Sequence, residues 1–360
     1  MAINPRISDT IGDSPIRNIP PDYFPKGCGF WLKLSTGLNL GKKLFFRDSK
    51  HGIGKAKDTI VFVHGNPENS YTYRKVIKYL ISHTKKPIRI IAMDHIGFGL
   101  SDSAIYEMVC MDHARNLLEL LNLLNLKNVT LVIHDWGGPI GIGAFLKVPH
   151  LVSNLVILNS TVFPISKRGI NYDSYPIPWL SWSKAPVIIP NHLWGSFAAF
   201  AIFCRPTPPL NLLFKMLFWT LLIRFNKYLP REKNAQKLYK KQFSSKLNAL
   251  SSKRLVLQTS LWGHGNIYSE NLLGERDTKP FYRFIQNNMN KLWGPNGKNI
   301  GVRAILGKWD PLGQKNVIQQ WKEALPQLKE NIKIFENAGH FVEELYPKEI
   351  AKAIINLIES

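Results

Sequence analysis

The sequence predicts an α/β fold with a mostly parallel central sheet flanked by helices and a helical lid inserted late in the chain. Short apolar runs alternate with amphipathic stretches from Phe30 onward, the rhythm of parallel strands joined by crossover helices. The runs around Ile60–Val63 and Leu131–Ile133 lack polar alternation, as expected of central strands covered on both faces. The rhythm breaks between about Thr161 and Lys298, where prolines, tryptophans and lysines take over.

In order, the expected strands are Lys43–Phe46, Thr59–Val63, Ile88–Met93, Val129–Ile133, Leu155–Leu158, Val302–Leu306 and Ile332–Phe335. Apolar residues recur at helical spacing in Asp112–Leu126, Val317–Leu325 and Lys348–Ile358, which reads as three amphipathic helices. Residues 1–160 and 299–360 therefore form the catalytic core, and residues 161–298 form the lid. Within the lid, Tyr175–Pro190 is crowded with prolines and tryptophans, and a lysine-rich helical stretch is expected over about Arg231–Ser252.

A chain of 360 residues with 45% hydrophobic and 20% charged content excludes wholesale disorder. The cysteines Cys28, Cys110 and Cys204 are odd in number and widely spaced, which argues against a disulfide framework or a zinc site and suits a reducing cytoplasm. Met1 to Gly29 is polar and proline-rich, so a cleaved signal peptide is not expected.

The net charge is +22, and residues 161–298 hold 20 Lys and Arg against 5 Asp and Glu. A compositional bias and an attraction to anionic membrane surfaces both account for such a charge. No zinc finger or basic-aromatic array accompanies it, so nucleic acid is not an expected partner. Phe197–Cys204 and Leu210–Ile223 are strongly apolar, but the Arg205–Pro209 break keeps either run short of the ~18–20 residues that span a bilayer. They read as helices buried over a substrate pocket or as a basic, apolar surface lying peripherally on a membrane.

Four local signals carry chemistry. His64-Gly65-Asn66-Pro67 follows a strand, as does the longer turn Asp94-His95-Ile96-Gly97-Phe98-Gly99-Leu100-Ser101-Asp102. His134-Asp135-Trp136-Gly137-Gly138 lies between a strand and a helix, and Asp310 and then His340 come after late strands. That order is the one an α/β-hydrolase fold requires, with Asp135 at the nucleophile elbow. No G-x-S-x-G occurs, and Ile133 stands where the generic elbow has glycine.

A carboxylate nucleophile needs no base, and it can attack a saturated carbon to give an ester of the enzyme. His340, oriented by Asp310, would then activate water to cleave that ester. Backbone N–H groups of Asn66 and Trp136 would hold the oxyanion. No metal or cofactor is needed. Asp135 as a helix cap and Asp310-Pro311 as a plain turn are the bland readings, which the ordered set outweighs.

The segments His64–Pro67, Ile133–Pro139 and Ala338–Phe341 resemble those of the haloalkane dehalogenases, over about residues 40–160 and 300–360. The resemblance implies that the side chains of Asn66 and Trp136 donate hydrogen bonds to a departing halide. Leu158-Asn159-Ser160 carries no carboxylate, so Asp310 as triad acid is similar to the third dehalogenase subfamily. That subfamily adjoins the β-lactone decarboxylases of bacterial long-chain olefin synthesis, which Met93–Asp102 and Val156–Ser160 also resemble.

The leading expectation is halide release from a small apolar haloalkane. The alternatives are β-lactone decarboxylation to an alkene, epoxide hydrolysis using lid tyrosines, and a membrane-associated scaffold that keeps the fold alone. Asn66 stands where epoxide hydrolases usually carry an aromatic residue, which tells against epoxide hydrolysis. The expected location is cytoplasmic, with peripheral contact at the inner membrane surface as the extension of the basic lid.

Overall fold

A computed structural model describes residues 4–359. Seven strands precede the lid: β1 (Ile7–Ser8), β2 (Gly29–Lys33), β3 (Lys43–His51), β4 (Asp58–Val63), β5 (Ile88–Met93), β6 (Val129–His134) and β7 (Val152–Leu158). A hairpin of β8 (Ile267–Glu270) and β9 (Gly274–Asp277) lies inside the lid segment, and β10 (Gly301–Gly307) and β11 (Ile332–Phe335) complete the core. The main sheet has nine strands in the order β1-β2-β3-β5-β4-β6-β7-β10-β11. β5 through β11 run parallel within it, and β1 to β3 form an antiparallel edge. All seven strands expected from the apolar runs are present, and β1 and β2 add to them.

Period-two alternation sends β4 side chains to opposite faces, and both faces are buried. Ile60 and Phe62 pack under α1 (Arg74–His83), which lies beside the C-terminal helix, while Val61 and Val63 face α2 (Cys110–Leu123) and α3 (Gly137–Phe145). Register aligns the strand ends: Val63 pairs with both Met93 and Ile133. The turns after β4, β5 and β6 therefore leave the sheet at one level on its carboxyl edge, where an open α/β sheet forms its crevice.

The segment between β7 and β10 holds α4 (Ala185–Ile188), α5 (Asn191–Ala201), α6 (Pro209–Arg224), α7 (Lys233–Gln242), α8 (Lys246–Leu257) and α9 (Lys279–Trp293). The expected Lys-rich helix is two helices, broken at Phe243–Ser245, where Asn248 Nδ2 donates to Gln242 O at 2.8 Å. Helix α9 packs on α3, with Phe281 and Ile285 against Gly143, so it joins the core layer rather than covering the crevice. Beyond the lid, α10 (Lys315–Ala324), the short α11 (Val342–Leu345) and α12 (Pro347–Glu359) complete the flanking layers, α12 beside α1. No helix among the described residues is long and apolar enough to cross a membrane.

Candidate active site

The crevice is built from turns that local sequence dictates. Asp135 directly follows β6 with φ +49°, a left-handed conformation that L-residues rarely adopt, and α3 begins two residues later. Its N–H donates to Asn159 O (3.1 Å) and its carbonyl accepts from Ser160 Oγ (2.6 Å), so neighbouring β7 holds both sides of the elbow. Two glycines make room. A Cβ on Gly137 would stand 2.1 Å from Val63 O, and one on Gly65 would stand 2.4 Å from Asp135 Cβ.

That closeness lets the turn after β4 reach the carboxylate. The Asn66 N–H donates to Asp135 Oδ2 at 2.7 Å. On the other oxygen, His340 Nε2 lies 3.4 Å from Asp135 Oδ1. His340 Nδ1 is hydrogen-bonded to Asp310 Oδ2, and Asp310 sits just beyond β10, where its Oδ1 caps the following turn through Leu312 N. The three expected triad residues, separated by up to 205 positions, are thus adjacent. Burial alone would lower the His340 pKa, but the Asp310 charge and the hydrogen bonds to Asp135 and Asp310 outweigh it. The ring is held well above its ordinary value.

Asn66 and Trp136 line the same pocket, a cavity of about 120 Å³ whose wall is shared with Trp194, Phe197 and Leu212 of the 161–298 segment. Trp194 Nε1 donates to Ser252 Oγ (2.9 Å), and Ser252 Oγ bonds Asn66 Oδ1 (2.5 Å). An indole can only donate, so the serine must pass its own hydrogen to Asn66 Oδ1. The Asn66 Nδ2 donors then face the pocket. The Trp136 ring is stacked on Trp262 with centroids 3.9 Å apart. Two lid tyrosines, Tyr172 and Tyr175, also line the cavity, and the buried Tyr172 hydroxyl has no hydrogen-bond partner.

Behind the histidine loop lies a group the motifs did not reveal. His134 Nε2 bonds the His340 carbonyl (2.9 Å), and its Nδ1 bonds Glu68 Oε2 (2.8 Å). Thr72 Oγ1 bridges Glu68 Oε1 and Glu343 Oε1, each at 3.1 Å. Burial pushes Glu68 up to about 7 and Glu343 well above the carboxyl range, while it lowers His134. Glu68, His134 and Glu343 have metal-ligating atoms within 4.8 Å of one another. Both imidazole nitrogens are hydrogen-bonded, one to Glu68 and one to the His340 carbonyl, so the three groups share protons as one coupled cluster.

Asn159, where no carboxylate was found, has a holding task instead. Its Nδ2 donates to Gly339 O (2.8 Å) and His340 O (2.6 Å), and its Oδ1 accepts from Gly307 N (2.9 Å). It ties the histidine loop to the strand end that carries Asp310. The order of motifs could have pointed to Asn159, but nothing local marked Ser252, Trp194 or Glu343.

A family pattern described as alpha/beta hydrolase fold matches residues 58–344. Among curated relatives, the chain is 28% identical to a cis-3-alkyl-4-alkyloxetan-2-one decarboxylase of Shewanella oneidensis over 84% of this chain and 81% of that one. It is 34% identical to a haloalkane dehalogenase of Mycolicibacterium paratuberculosis, over 36% of this chain and 42% of that one. Its fold is similar to a tetrameric haloalkane dehalogenase of Paraglaciecola agarilytica, with TM-score 0.61, 20% identity and 98% of both chains covered.

Proposed function

We propose, from the premise that this chain belongs to the alpha/beta hydrolase fold family and is an enzyme of it, that Asp135 is the nucleophile of a haloalkane dehalogenase-type hydrolysis. The observation that carries this reading is a pair of donors, Asn66 Nδ2 and Trp136 Nε1, on residues that line one cavity with Asp135, neither with a hydrogen-bond partner among the described residues. Donors left free beside a carboxylate nucleophile suit a leaving group that departs as an anion.

Asp135 Oδ1 attacks the carbon bearing the halogen, the C–X bond breaks, and the halide departs onto Asn66 Nδ2–H and Trp136 Nε1–H. The product is an alkyl ester of Asp135. Esterification removes one of the two negative charges that raise the His340 pKa, so the ring becomes a base only when a base is needed. Water then attacks Asp135 Cγ while His340 Nε2 takes its proton. The Asn66 N–H, already on Oδ2, and the adjacent Trp136 N–H stabilise the oxyanion. Alcohol, halide and a proton are released.

A second reading is supported by the decarboxylase relative, whose likeness spans most of both chains. In a β-lactone, Asp135 attacks the ring carbon bearing oxygen, and the C–O bond opens to a carboxylate. Loss of CO2 then forms the C=C bond and expels Asp135 unchanged, without water. Apolar substrate and peripheral membrane contact fit both readings. The test measures halide released from short bromoalkanes and, by gas chromatography, alkene formed from a long-chain cis β-lactone. Asp135→Ala is the control. Halide release abolished by that substitution is expected. Alkene without halide would replace the first reading by the second, and neither product across a broad panel would overturn both.

A further inference from the structure

Helix α6 is a strongly apolar helix with one face left open. Leu212, Thr220 and Ile223 are its buried residues. Phe214, Leu217, Phe218 and Phe225 are exposed by 73%, 68%, 59% and 73%. With Leu210 and Leu221 these positions follow helical spacing and form one stripe. Monomeric soluble proteins rarely expose a contiguous apolar surface of this kind, and here α4 extends it through Val187 and Ile188.

The stripe is bordered by positive charge. Lys215, Arg224 and Lys227 on and just beyond α6 are exposed and make no ion pair among the described residues. Lys237 and Lys241 of α7 present further exposed charge, and Arg224 converges with them around one surface hollow. The segment as a whole carries 20 basic against 5 acidic residues. Between α4 and α6 runs an apolar cavity of about 210 Å³, and it shares Trp182, Ala185 and Phe197 with the wall of the Asp135 pocket.

We propose that the α4–α6 face docks onto an anionic lipid bilayer, and that the cavity between the two helices passes an apolar substrate from the bilayer to Asp135. Apolar residues enter the acyl boundary while the lysines and arginines meet anionic headgroups. The charge selects this occupant: a second copy of the same face would bring like charges together. The docking stands on the surface alone, whereas the passage rests on the function proposed above.

The test is flotation of the full chain with vesicles of phosphatidylcholine alone and with about 30% phosphatidylglycerol added. Binding to the anionic vesicles at low salt is expected, weakening as salt rises. The combined Phe214→Ser, Phe218→Ser, Phe225→Ser variant should lose roughly tenfold of the bound fraction, with turnover of dissolved bromoalkane unchanged. Should that variant fail to fold, Lys215→Glu, Arg224→Glu, Lys227→Glu reads the same face through its charge. Absence of binding by the wild-type chain, or equal binding by the altered chains, would overturn the docking. So would self-association through this face, seen by light scattering, without vesicle binding. Vesicle binding without bromoalkane turnover would keep the docking and remove the dehalogenase reading.

Discussion

His340 Nε2 stands 3.4 Å from Asp135 Oδ1, while the Asn66 N–H occupies Oδ2. The two carboxylate oxygens are thus differentiated before any substrate arrives. In the proposed mechanism Oδ2 is held where the oxyanion would form, and Oδ1 is the attacking oxygen, beside the ring that would later activate water. An ester formed on Oδ1 has its carbonyl carbon between the anchored oxygen and the histidine.

That placement predicts separable steps. Asp135→Ala should lower turnover by about 10^4-fold or more. His340→Phe should leave the first step and block the second, so one equivalent of halide appears and the protein gains the mass of the alkyl group. Intact-mass spectrometry after incubation with a bromoalkane reads this directly. Normal turnover by the His340→Phe chain would remove His340 as the base.

Asp310→Asn tests the acid that holds the ring. A neutral partner no longer supports the charged imidazole, and turnover should fall by about 10^2- to 10^4-fold. The Asp310 charge raises the His340 pKa, so its loss lowers that pKa. Ester cleavage needs neutral His340, and the acid limb of the kcat–pH profile should therefore move to lower pH. An acid limb that stays in place would mean that another group sets it.

The leaving-group site makes a graded prediction. Asn66→Ala or Trp136→Phe removes one donor and should cost about 10^2- to 10^3-fold in bromoalkane kcat/KM, as loss of one oxyanion donor does. Ser252→Ala leaves Asn66 in place but frees its amide to turn, and the loss should be about tenfold. Tyr172→Phe should leave halide release within about twofold, because no step of dehalogenation uses a phenol. Loss of an epoxide-opening activity in that variant would instead assign the unpartnered Tyr172 hydroxyl to protonating a ring oxygen.

What the sequence disclosed and what it hid divide by range. Asp135, Asn66 and Trp136 sit in short turns whose geometry is dictated by neighbours such as Gly65 and Gly137, so a local pattern identifies them. Strands β4 and β6 are buried on both faces, and their centres, Ile60–Val63 and Leu131–Ile133, read as apolar runs without polar alternation. Strand β2, Gly29–Lys33, is five residues at the antiparallel edge and follows a polar, proline-rich stretch, so no comparable signal marks it. Glu68 and Glu343 meet only because α11 folds back beside the turn after β4, 271 residues separating Thr72 from its second partner. Helix α6 has apolar residues on every side, so periodicity could not say which face would be left open.

The buried carboxyl pair gives a prediction about stability. With Glu68 raised from 4.5 to about 7, the folded protein keeps a proton that the unfolded chain releases across that window. Stability contributed by this group is therefore present at low pH and is lost as pH rises through about 7. Glu68→Gln keeps the shape and most of the hydrogen-bonding capacity but cannot ionise. The unfolding free energy of that variant should fall less than that of the wild-type chain between pH 5 and pH 8, by an amount on the order of 2–3 kcal/mol. Glu343 and His340 are coupled to Glu68 through charge and hydrogen bonding, so the difference between the two chains reads the buried cluster as a unit. Unfolding curves collected at one-unit steps of pH check this, and parallel pH dependence in the two chains would show that Glu68 holds no linked proton. The same variant weakens the Glu68–His134 contact that supports the His340 carbonyl, so kcat should fall by about tenfold while KM stays put. A change in KM alone would place Glu68 in substrate binding rather than in holding the histidine loop.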